Sequence, residues 1–68
     1  MPNNMNLSSR IEAILFAAAQ PLYKKRLMDV TGADKKELDE AIQTLSDRHG
    51  KESGMVLLEH GSELELVT

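Results

Sequence analysis

Two breaks, at Gln20-Pro21 and at Gly32, cut the first 48 residues of this chain into three short helical segments, and nothing else in the sequence limits the fold as much. Proline has no amide proton and disfavours helical geometry at the residue before it, so a helix opening near Leu7 has to end by Ala19. Gly32 suits the left-handed conformation that closes a second helix over residues 23–31. Two residues later, Asp34 and Glu37 have the spacing of a capping box and open a third helix that runs to about Arg48. For the first helix, Ser9 and Glu12 have the same spacing, with Ser8 or Asn6 as alternative caps.

Each segment has an apolar face to bury. Leu7, Ile11, Ile14, Leu15 and Ala18 form one stripe on the first helix, with Phe16 and Ala13 projecting from the opposite side. A helix apolar on both sides is usually covered on both sides. The second helix is expected to bury Leu22, Leu27 and Val30. The third buries Leu38, Ala41, Ile42 and Leu45, at the i, i+3, i+4, i+7 spacing.

After "HGKESG" the period changes from helical to alternating. Residues 55–60 and 63–68 predict two strands about a Gly61-Ser62 turn, with Leu57 opposite Leu66 and Leu58 opposite Glu65. One face then carries Met55, Leu57, Leu64 and Leu66, which suits a core. The other carries Val56, Leu58 and Val67 and is too apolar for a hairpin left in water. The fold expected is α+β and mainly α: a winged helix, in which a three-helix bundle with a helix-turn-helix is followed by a two-stranded hairpin wing. Residues 1–6 are expected to form a flexible tail and residues 7–68 the domain, with no room for a further element.

With 68 residues, the domain is near the size at which about 60% of the unfolded chain's surface can be buried, so its core is small. Hydrophobic residues at 41% and charged residues at 28% suit a folded chain rather than a disordered one. There is no cysteine, which excludes disulfides and thiolate metal sites. The start, "MPNNMNLSS", lacks the regions of a signal peptide, and the apolar run over residues 13–19 is far short of the roughly 20 residues that span a bilayer. A cytoplasmic location is expected. Charge is divided along the chain: residues 1–36 hold six cations and three acids, net +3, and residues 37–68 hold two cations and eight acids, net −6.

Three blocks resemble, in order, the N-terminal winged-helix domain of segregation and condensation protein B: "IEAILFAAAQPL" at residues 11–22, "LMDVTGADKKELDEAIQTL" at 27–45 and "GMVLLEHGSELELVT" at 54–68. The most specific parts are Ile11-Glu12-Ala13 with Leu15-Phe16-Ala17, and the closing Leu66-Val67-Thr68. The resemblance implies a subunit of the bacterial condensin built on structural maintenance of chromosomes proteins, partnered with the kleisin segregation and condensation protein A. It associates the first domain with self-dimerisation and a second winged-helix domain, expected to be absent here, with much of the kleisin contact.

A helix-turn-helix carrying Lys24, Lys25, Arg26, Lys35 and Lys36 also raises nucleic-acid binding as the alternative. Lys35 and Lys36 sit in the first turn of the third helix, where the helix dipole disfavours cations, so helix stability does not explain them. Against this reading, Asp39, Glu40 and Asp47 on the same helix and Glu59, Glu63 and Glu65 on the wing repel phosphates. The five cations read as solvated surface, and direct DNA binding is not expected. The candidate partner-binding residues are Ala13, Phe16, Val56, Leu58 and Val67, consistent with a homodimer. His49 and His60 read as solvated loop histidines without a catalytic set, and "TGADKK" has a single glycine and is no phosphate loop. A non-enzymatic protein with no cofactor or metal is expected.

Overall fold

The computed structural model describes residues 6–50 and 54–68. The chain runs α1 (Leu7–Ala18), β1 (Leu22–Tyr23), α2 (Lys24–Thr31), α3 (Lys35–Arg48), β2 (Val56–His60) and β3 (Glu63–Val67). Three helices and a three-stranded antiparallel sheet make a mainly helical α+β fold with a winged-helix-like arrangement. The expected tail falls on residues 1–5, outside the described residues, and on Asn6, which the structure uses. Lys51, Glu52 and Ser53, between α3 and the hairpin, also lie outside the described residues.

Local chemistry sets the helix ends. Asn6 caps α1, its side chain accepting hydrogen bonds from the Ser9 amide at 2.9 Å and the Ser8 hydroxyl at 2.8 Å. The Ser9–Glu12 box does not form, because the Glu12 carboxylate is engaged by the end of α3. Ala19 ends α1 in the left-handed conformation at φ 54°. Gly32 does the same for α2 at φ 78°, its amide donating to the Met28 carbonyl. Asp34 and Glu37 form the expected reciprocal box at the head of α3.

One core lies between the helices and the inner face of the sheet. Ile11 and Leu15 from α1, Leu27 from α2, Leu38, Ala41, Ile42 and Leu45 from α3, and Leu64 and Leu66 from β3 are buried together. Met55 and Leu57 pack against them at the margin, as the alternation predicts. Val30 does not join them, and is 52% exposed. The inward side of α2 is centred between Leu27 and Met28, with Lys24 and Thr31 half-buried beside them, and that turns Val30 toward solvent.

The hairpin closes as the turn chemistry requires. Leu57 pairs with Leu66 and Leu58 with Glu65, and the two-residue Gly61-Ser62 turn has its positive φ at Gly61 alone. That is the conformation in which glycine at the first turn position matches the twist of the strands. One element was not expected. Leu22–Tyr23, placed at the head of the second helix by the sequence pattern, forms β1 and pairs with Leu64 and Glu63, which puts β3 at the centre of the order β1-β3-β2. The Lys24 amide donates to the Ser62 carbonyl at 2.7 Å and continues this join into α2.

Candidate interaction surfaces

Because side chains alternate across a strand, Tyr23, Val56, Leu58, His60, Glu63, Glu65 and Val67 share the face of the sheet turned away from the core. Val56 pairs with Val67, and Leu58 with Glu65. Val56 is 42% exposed, while Leu58 and Val67 are half-buried. Among the described residues, no helix lies over this face.

Phe16, at 66% exposed, and the exposed Ala13 lie on α1. The Ile11 and Leu15 stripe of α1 meets Leu64 and Leu66 in the core, so the core separates the outer side of α1 from the outer side of the sheet. The five candidate partner-binding residues therefore form two patches. Exposed Tyr23, at 60%, was missed as a surface residue. Its place on the outer face depends on a strand only two residues long.

The cations divide differently from the sequence expectation. Lys24 forms an ion pair with Glu59 of β2, and Lys35 pairs with Asp39 one turn along α3 at 3.3 Å. Lys25, Arg26 and Lys36 are exposed and make no ion pair among the described residues. Lys25 and Arg26, with Tyr23, Asp29 and Ser62, line an open depression of about 390 Å³ where α2 meets the hairpin turn. A second, of about 340 Å³, lies between the start of α1 and α3 and is lined by Asn6, Leu7, Ser8, Glu37, Glu40, Ala41 and Thr44.

His49 is not solvated. Its side chain is 8% exposed, and its Nε2 lies 3.0 Å from Glu12 Oε2. The same carboxylate accepts from Arg48 Nη1 at 2.5 Å, and Arg48 Nη2 donates to the buried Ser8 hydroxyl at 3.3 Å. Burial pushes the Glu12 carboxyl up, but the Arg48 and His49 hydrogen bonds and charges outweigh it and hold the group below its ordinary value. His60 is exposed and sits 3.7 Å from Glu65. Both histidines thus face carboxylates. Among the described residues, no group of three or more acids and histidines is placed to hold a metal ion, and no helix is long and apolar enough to cross a membrane.

No curated protein and no solved structure matches the chain. The family model described as segregation and condensation complex subunit ScpB matches residues 9–68, which takes in every helix and strand apart from the first two residues of α1. This is a family of condensin accessory subunits rather than a known enzyme family. With the family's sequence pattern running through the helices, the turn and both strands of the hairpin, the chain belongs to the ScpB family of segregation and condensation complex subunits.

Proposed function

We propose that this chain is a non-enzymatic, cytoplasmic protein-interaction module of a chromosome segregation and condensation complex, and that it self-associates through the outer face of its sheet. The observation that carries this reading is the apolar set Val56, Leu58 and Val67, over which no helix lies among the described residues, on a folded hairpin whose inner face already serves the core. A small domain gains stability when a second copy covers such a face, since anything that binds only the folded state shifts the equilibrium toward it. Phe16 and Ala13, on the far side of the core, form a separate contact for docking within the complex. Family membership supports a kleisin, segregation and condensation protein A, and a structural maintenance of chromosomes protein as the partners. The domain acts as one winged-helix unit over residues 7–68.

Duplex binding has less support: Lys24 and Lys35 already pair with acids of the chain itself, which leaves three of the five cations without an ion pair among the described residues. Sedimentation equilibrium tests the main reading. A dimer that Leu58→Glu converts to monomer is expected, and a strict monomer at high micromolar concentration, unchanged by that substitution, overturns it.

A further inference from the structure

The depression between α2 and the hairpin turn combines features found together nowhere else among the described residues. Tyr23 is 60% exposed, although its neighbour Leu22 packs against the core. Beside it, Lys25 and Arg26 have no acidic partner among the described residues, whereas Lys24, Lys35 and Arg48 each pair with a carboxylate of the chain. In a chain of net charge −3, two cations outside any ion pair among the described residues, flanking an exposed aromatic ring, stand out. The hollow they line, of about 390 Å³, is at the small end of the range typical of ligand sites.

We infer that this depression docks a short acidic peptide segment of a protein partner. Arg26 presents a planar fork that a carboxylate can meet with two parallel hydrogen bonds, and Lys25 supplies a second, less directional cation. The Tyr23 ring and the methylene stems of Lys25 and Arg26 give an apolar side chain of the same segment something to lie against. The surrounding acids select a peptide over a nucleic acid. Asp29 lines the hollow, Glu63 stands opposite Tyr23 in the sheet, and Glu59 occupies Lys24, so a continuous run of phosphates meets negative charge on leaving the site. A peptide can place carboxylates only where cations await them and apolar groups between. Tyr23 shares the outer sheet face with Val56, Leu58 and Val67 but lies on β1, at the opposite edge from β2, and the inference does not need self-association.

Tyr23 is the chain's one tyrosine and there is no tryptophan, so tyrosine emission reports on this site directly. The 68-residue chain is titrated with a blocked hexapeptide alternating Glu and Leu, with the same peptide carrying Gln for Glu, and with a 12-base-pair duplex. A saturable change with the Glu peptide is expected, about tenfold weaker with the Gln peptide and about tenfold weaker for Arg26→Gln. Lys36→Gln, which removes an equal charge from another surface, is expected to leave the midpoint within about twofold. Both residues are exposed, and circular dichroism checks that each variant is folded. The absence of a saturable change up to millimolar peptide overturns the inference, as does equal binding of the Gln peptide, an equal effect of the two substitutions, or tighter binding of the duplex. A tyrosine signal that depends on protein concentration without peptide and persists in Leu58→Glu also overturns it, by making a second copy seated on this site the occupant. Sedimentation of Arg26→Gln keeps the two proposals apart, since its self-association is expected to be unchanged.

Discussion

The Glu12 carboxylate accepts a hydrogen bond from the Arg48 guanidinium at 2.5 Å, joining α1 to the last turn of α3 across 36 residues of chain. His49 approaches the other oxygen of the same carboxylate, so two neighbours at the end of α3 hold one acid.

This clamp makes stability depend on acid. Glu12 is held below the 4.5 expected of a free glutamate, so its contribution is present in full above about that pH and fades as pH falls through the lowered folded-state value. Urea midpoints between pH 7 and pH 3 should decline for the parent chain. Glu12→Gln should be less stable by about 1 kcal/mol at pH 7 and should show a flatter decline. An unchanged pH profile in the variant rules the clamp out as the source.

The two left-handed helix ends should respond in opposite directions. At Gly32 a Cβ would meet nothing within 4 Å, so Gly32→Ala tests backbone strain alone and should destabilise by about 1 kcal/mol. At Ala19 the strain is already present at φ 54°, and Ala19→Gly should raise the melting temperature slightly, relief of strain being partly offset by the freer unfolded chain. Thermal melts of both variants provide the check.

Leu64 is fully buried in the central strand, beside Leu22 of β1 and against α1. Leu64→Ala should cost about 3 kcal/mol, enough to unfold a large fraction of a chain this small. Val30→Ala, half exposed on α2, should lie within about 0.5 kcal/mol of the parent. Comparable losses in denaturant titrations would mean that α2 is seated differently.

A mobility-shift titration with duplex DNA should show no complex at moderate salt, and Lys35→Glu with Lys36→Glu should change nothing. Duplex binding with a steep salt dependence, lost in that double variant, would restore the transcription-factor-like reading.

What the sequence determined by itself was whatever depends on neighbours in the chain. Gly32 needs only its own missing Cβ, Asp34 and Glu37 need only each other's amides, and the Leu38–Leu45 face follows from the pitch of one helix. The hairpin register follows from a two-residue turn, and with it came the outer apolar residues Val56, Leu58 and Val67. Tertiary structure decided the features in which distant segments compete for the same group. Glu12 could cap its own helix or meet Arg48, and the meeting with α3 prevailed, drawing in His49 as well. Leu22–Tyr23 could begin α2 or pair with β3, and the backbone groups of Leu64 and Glu63, some 40 residues on, took them into the sheet. That short strand fixes where α2 starts, turns Val30 outward, and sets Tyr23 beside Lys25 and Arg26. Helical period alone could not show this, because a two-residue strand leaves no periodic trace and its partner lies at the other end of the chain.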